Sequence, residues 1–274
     1  MNQLSDRLNS LSPSETLAMS QKSNELKAQG IDVINMSVGE PDFNTPDHIK
    51  EAAKKAVDDN FSRYSPVPGY PALRDAIVAK LKKENGLDYT PAQILCSNGA
   101  KQSVCNVLMA LIGPGDEVII PAPYWVSYPE MVKLAEGTNV IVSAGIEQDF
   151  KITPAQLEAA ITPRTKALIL CSPSNPTGSV YSKEELAGLA AVLAKYPQVV
   201  IIADEIYEHI IEKNYYYFGD AKTPASTISA LLGDFIRKND QRVKRIKGEK
   251  STYLYYLSKL SSIPLFHYRL EQFL

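Results

Sequence analysis

Four stretches of the chain place polar or aromatic side chains directly after short apolar runs, and each offers a different piece of binding chemistry. In "SNGAKQSV", Gly99 opens straight into a helical pattern. The free N–H groups and positive dipole end of such a helix attract an anion, and glycine lets a phosphate approach the backbone; the same residues also suit an ordinary strand-to-helix turn. In "APYWVSYPE" the only tryptophan, Trp125, follows a strand-like run, where it either fills core or covers the face of a planar ligand. "PSNPTGSVY" holds Asn175 between two prolines and a glycine, a stiff connection or a rigid mount for an amide that bonds a ligand. In "IADEIYEH", Asp204 ends a run so apolar that its charge needs a cation or polar ligand as partner, unless it caps the short helix that follows. Tyr207 adds a phenol shortly after it.

The elements that must position these residues alternate in kind. "ILCS", "EVIIP", "NVIVSA", "KALILCS" and "QVVIIAD" are short, apolar and rich in β-branched residues, as strands buried on both faces require. Between them lie helical stretches, the clearest being "SKEELAGLAAVLAKYP", where Ser182 and Glu185 match a capping box. Upstream, Ser14 caps a helix that ends before Gly30, and "VINMSV" (33–38) reads as a short strand. A helix follows with Thr45 as cap and Ile49, Ala52, Ala53, Ala56 and Val57 on its apolar face. The next carries Leu73, Ile77 and Leu81 and stops at Gly86. The pattern predicts a three-layer α/β fold with a mostly parallel sheet, and such sheets bind ligands beyond the carboxyl ends of their strands. That is where all four stretches lie.

Composition narrows the classes. The chain has 274 residues, 45% hydrophobic and 22% charged, which reads as soluble and globular, with no apolar run of membrane-spanning length. Its first residues lack the basic start and apolar core of a signal peptide, so a cytoplasmic location is expected. Cys96, Cys105 and Cys171 are odd in number and lack CxxC spacing, and the three histidines form no cluster; neither a disulfide framework nor a metal site is expected. Charge divides near residue 212: residues 1–212 hold 18 basic and 26 acidic side chains, residues 213–274 hold 11 and 5. The basic run "RKNDQRVKRIKGEK" is read as a solvated segment rather than a nucleic-acid surface.

A phosphate cradle, a ring-covering aromatic, an amide, an acid and a phenol together match the needs of pyridoxal 5′-phosphate. That cofactor has a phosphate, a flat ring, a phenolic oxygen and a pyridine nitrogen that must stay protonated. The motifs "SVGEPDFNTP", "YSPVPGYPALRDAI", "SNGAKQSV", "PYWVSYPEM", "ITPRTKALILCSPSNPTGSVY" and "ADEIYEH" resemble the fold-type I pyridoxal-phosphate aminotransferases, and within them the bacterial aspartate aminotransferase subgroup, from about residue 4 to His209. The resemblance implies that Asp204 holds the pyridine nitrogen, that Asn175 and Tyr207 bond the ring hydroxyl, and that Trp125 stacks on the ring. It places Gly99, Ala100 and Lys101 in the phosphate turn, with Lys101 also meeting an acidic substrate's side-chain carboxylate. Trp125 and Asn175 then also border the substrate. Gly39 would lie near the substrate α-carboxylate, and Tyr64 would reach the phosphate of a neighbouring subunit, which implies a homodimer with shared sites. The substrates implied are an aspartate-like amino acid and a 2-oxo acid; a β-eliminating lyase uses the same fold.

Beyond His209 the resemblance stops. The family's Schiff-base lysine follows the pyridine-binding aspartate by about thirty to forty residues within a serine-lysine motif. Here residues 234–244 read "DFIRKNDQRVK", whose Lys238 has no matching neighbours, and Lys259 in "YYLSKLSS" follows a serine but lies too far on. The expected division is therefore an N-terminal arm (1–30), an incomplete cofactor-binding large domain (31–212) and an unmatched basic, Tyr-rich tail (213–274), with the C-terminal small domain absent or replaced. A truncated or frameshifted remnant without catalysis is the competing expectation.

Overall fold

The alternation of apolar side chains along the central strands decides the layers. The computed structural model describes residues 4–35, 39, 44–209 and the backbone of 255–257. Lys238, Lys259 and residues 36–38 of the expected first strand lie outside the described residues. The elements run α1 (Asp6–Asn9), α2 (Glu15–Ala28), α3 (Asp47–Asp58), α4 (Pro71–Asn85), β1 (Ile94–Cys96), α5 (Ala100–Leu111), β2 (Glu117–Ala122), α6 (Ser127–Leu134) and β3 (Thr138–Ser143). After these come α7 (Pro154–Ala160), β4 (Thr165–Cys171), α8 (Lys183–Leu193), β5 (Val200–Asp204) and β6 (Tyr255–Leu257).

Four strands form a wholly parallel sheet in the order β3-β2-β4-β5. Successive side chains of a strand point to opposite faces. Ile119, Leu168 and Leu170 accordingly pack with Leu157 of α7 and Leu186, Leu189 and Leu193 of α8. Val118, Ile120, Ala167, Ile169 and Ile202 pack with Val104 and Leu108 of α5 and Met131 and Val132 of α6. Helices thus cover both faces, giving the expected three layers. β1 stands apart: it pairs in parallel with β6 and packs against α4 through Ile77, Leu81, Leu87 and Ile94.

Several local expectations hold. Ser14 caps α2 and Ser182 and Glu185 form their capping box on α8. Gly86 ends α4 at φ 67°, a left-handed conformation that glycine adopts without a Cβ clash. Others need correction. Pro46, not Thr45, is the N-cap of α3, because its extended ψ of 146° delays the first helical residue to Asp47. On α3 only Ile49 and Ala52 are buried, while Val57 is 71% exposed, so the apolar face is narrower than its sequence. Residues 33–35 form no strand. β3 is not buried on both faces; among the described residues it stands at the edge of the sheet with β2 as its one neighbour. Among the described residues no helix is long and apolar enough to cross a membrane.

Candidate functional site

Parallel strands bring their carboxyl ends to one rim, and the register aligns Cys171 of β4 with Asp204 of β5. The Ser172 N–H reaches the Asp204 carbonyl at 3.4 Å, so the loop after β4 and the turn after β5 leave the sheet side by side. Asp204 is buried, 8% exposed. Its Oδ2 accepts a hydrogen bond from the Tyr128 hydroxyl at 2.7 Å, and its Oδ1 accepts from the Ile206 N–H at 3.2 Å. The acid is therefore both the cap of the turn that follows and the partner of a buried phenol. Burial, and next the charge of Asp204, push the Tyr128 hydroxyl far above its ordinary pKa, so it remains a neutral donor. The same two causes push the Cys171 thiol up to about 12, which leaves it inert as a nucleophile.

Tyr128 connects this acid to the aromatic that precedes α6. The Trp125 and Tyr128 rings meet edge to face, with centroids 5.4 Å apart. On Trp125 stands the Lys101 ammonium, 5.1 Å from the ring centroid. Lys101 belongs to the first turn of α5, immediately after Gly99. Gly99 has φ 93°, a conformation L side chains rarely adopt, and nothing lies within 4 Å of where a Cβ would be. A helix start with open space at the side of its leading glycine is a geometry an anion can approach.

On the β4 side, Asn175 Nδ2 donates to the Tyr207 hydroxyl at 2.9 Å. Burial raises the Tyr207 pKa against the opposing effect of that hydrogen bond. With its oxygen accepting from Asn175, the phenol keeps its own proton for a further acceptor. A cleft lined by Tyr124, Tyr128, Cys171, Ser174 and Asn175 opens between the ends of β2 and β4.

The structure thus brings Gly99, Ala100, Lys101, Trp125, Asn175, Asp204 and Tyr207 to one rim. Among the described residues no hydrogen bond or ring contact ties Gly39 or Tyr64 to this rim; Gly39 is exposed, and Tyr64, expected at a neighbouring subunit's phosphate, is fully exposed. Two features escaped the sequence reading. Tyr128 stands one helical turn after Trp125, a spacing that puts both on one face and was the available signal. The other is an ionic network behind the turn 206–209. Glu208 is ion-paired with Lys80 of α4, accepts from Asn85 Nδ2 at 3.2 Å and stands 3.3 Å from His209 Nε2.

Burial alone would raise the Glu208 pKa, but hydrogen bonding from His209 and the charge of Lys80 outweigh it and hold the carboxyl down to about 2. A carboxyl depressed in the native state stabilises the fold above its unfolded pKa and loses that contribution as pH falls through the native value. Acid unfolding should therefore show wild-type stability declining from about pH 5 toward about pH 2, by a few kcal/mol on the order of the shift. Glu208→Gln should flatten the curve within that window; an unchanged slope would show that the network carries no linkage.

Residues 31–231 match the family model "Aminotransferase class I and II". That match ends inside the segment that charge and motif reading set apart as a tail. The chain is 55% identical over 222 residues to an aspartate/prephenate aminotransferase of Cereibacter sphaeroides, covering 81% of this chain and 54% of that protein. It is 52% identical over 208 residues to a bifunctional aspartate aminotransferase and glutamate/aspartate-prephenate aminotransferase of Petunia hybrida, covering 76% of this chain and 43% of that protein. The chain thus spans about half the length of these relatives. The Thermus thermophilus aspartate aminotransferase solved with maleate superposes with a TM-score of 0.77 at 35% identity, covering 99% of this chain and 74% of that one. The aspartate aminotransferase of Rhizobium meliloti gives 0.76 at 31%, covering 100% and 74%. With a buried acid, a phenol–amide pair and a glycine-led helix start on one rim, and a family match over most of its length, the chain belongs to the class I and II aminotransferases.

Proposed function

We propose that this rim holds pyridoxal 5′-phosphate and serves amino-group transfer between an acidic, aspartate-like amino acid and a 2-oxo acid. The observation that carries the reading is Asp204: a buried carboxylate at a strand end, oriented by Tyr128 and lying beside the Asn175–Tyr207 pair. The donor set fits the cofactor. Asp204 would keep the ring nitrogen protonated, Tyr207 and Asn175 would hold the phenolic oxygen, Trp125 would cover the ring, and the Gly99–Lys101 turn would take the phosphate. When bound, pyridoxal phosphate supplies the electron sink that lets a substrate lose its α-proton. The protein's part would be to orient: Asp204 would hold the charge of the ring nitrogen, and the first turn of α5 would hold the phosphate. Trp125 would shield the ring from water.

Acidic substrates are favoured by Lys101, an exposed cation placed over Trp125, and the Thermus relative was solved with maleate, a dicarboxylate. Relatives named for both aspartate and prephenate extend the same preference to a second dicarboxylic acid. Lys101→Ala should weaken binding of aspartate to the cofactor-loaded protein by about tenfold and alanine by less than about twofold, the difference expected of one charge-assisted hydrogen bond. Equal losses for both amino acids would confine Lys101 to the phosphate or the fold. The reading includes a cytoplasmic location and a homodimer, the latter supported by the exposed Phe61, Tyr64 and Val67 within one short stretch of chain. A second reading, cofactor binding without turnover, is favoured by one feature: the lysines of residues 234–244, Lys238 and Lys244, follow Arg237 and Val243 rather than the serine of the serine-lysine motif.

A further inference from the structure

We infer that Lys80 and Glu208 are a positioning pair for this site, setting the turn 206–209 so that Tyr207 stays within reach of Asn175. The inference rests on the cofactor reading above. Lys80 is 9% exposed on α4, at a position that the apolar stripe of Ile77 and Leu81 draws inward. Its Nζ bonds the Glu208 carboxylate, donates to Asn85 Oδ1 at 2.9 Å and lies 3.7 Å from Glu84. His209 Nε2 is 3.3 Å from Glu208 and 3.6 Å from Glu84. The turn itself is closed by the Glu208 N–H on the Glu205 carbonyl at 3.0 Å. Consecutive residues of one short turn are therefore tied in different directions, Tyr207 to the Asn175 loop and Glu208 to α4. Without Lys80, two largely buried carboxylates, Glu84 and Glu208, would lose their lysine and share His209 as the basic group beside both. Removing one partner of a buried pair is costly, whereas removing both is often tolerated. The relief available is movement of the turn toward water, which carries Tyr207 with it.

Lys80→Met tests this by two readouts, one independent of the cofactor. In the cofactor-free protein, amide hydrogen exchange over residues 205–209 should quicken at least about tenfold while β2 and β4 amides stay unchanged, as for local opening. The dissociation constant for pyridoxal phosphate should rise about tenfold, but less than about twofold in a Tyr207→Phe background, because coupled residues are non-additive. The neutral pair Lys80→Met with Glu208→Gln should recover both readouts to within about threefold. Unchanged exchange, or a Lys80→Met loss that adds in full to that of Tyr207→Phe, would overturn the inference. Should Lys80→Met fail to fold, Glu208→Gln enters the same cycle with Tyr207→Phe, and full additivity would overturn it there. A wild-type protein that takes up no pyridoxal phosphate would refute the reading of the site, while hydrogen exchange would still decide the pair.

Discussion

Asp204→Ala is expected to weaken pyridoxal phosphate binding by roughly a hundredfold, the worth of about 2.7 kcal/mol. The substitution removes the carboxylate that ends β5, and with it the charge-assisted hydrogen bond it would make to a protonated ring nitrogen. It also strips the buried Tyr128 hydroxyl of its acceptor and the turn 206–209 of its cap. Leaving a buried donor unsatisfied costs about 1–3 kcal/mol, so the variant should also unfold at lower temperature. Asp204→Asn separates the two effects. It keeps one carbonyl acceptor, enough for either Tyr128 or the Ile206 N–H, while lacking the charge, so stability should recover in part and affinity should not. Equilibrium titration with pyridoxal phosphate alongside thermal unfolding measures both; an Asn variant that binds like wild type would show that the acid is structural only.

The second large effect concerns covalent chemistry. Incubation with pyridoxal phosphate followed by borohydride should leave no stoichiometric phosphopyridoxyl-lysine in this chain. Amino-group transfer needs a lysine amine to reach the cofactor's aldehyde carbon and then to move the substrate α-proton, and loss of such a nucleophile and base lowers rates by orders of magnitude. In the stretch where the family motif would stand, Lys238 is flanked by Arg237 and Asn239, and Lys259 lacks the small and glycine residues that should follow it. Peptide mass spectrometry after reduction should find scattered, substoichiometric labels on exposed lysines. Stoichiometric modification of Lys259 or Lys238 would show that the tail supplies the missing amine.

How much of this was legible in the sequence depends on the separation of the partners. Strand exits were readable because the apolar runs end at polar residues, glycine or proline, and β2, β4 and β5 appear where the runs lie. β3 misled because β-branched composition is the same for an edge strand and a central one; only the sheet order distinguishes them. Asp204 could be flagged as a charge in need of a partner, but not matched to one. Tyr128 is 76 positions away and Lys80 lies 128 positions from Glu208, so neither bond has a local signature. Lys80 drew no reading from the sequence because a helical stripe is read from its apolar members, and a buried cation beside Ile77 and Leu81 does not register as one of them.

The single tryptophan offers the most direct test of the claim that Gly99, Trp125, Asn175, Asp204 and Tyr207 form one cofactor site. Trp125 fluorescence should be quenched saturably by pyridoxal phosphate at a stoichiometry of about one per chain, as expected for a ring stacked on the indole. The quenching should shift to much higher concentration in Asp204→Ala and should be competed by inorganic phosphate acting at the Gly99 turn. Quenching that rises without saturation, or that is identical in wild type and Asp204→Ala, would contradict the shared site.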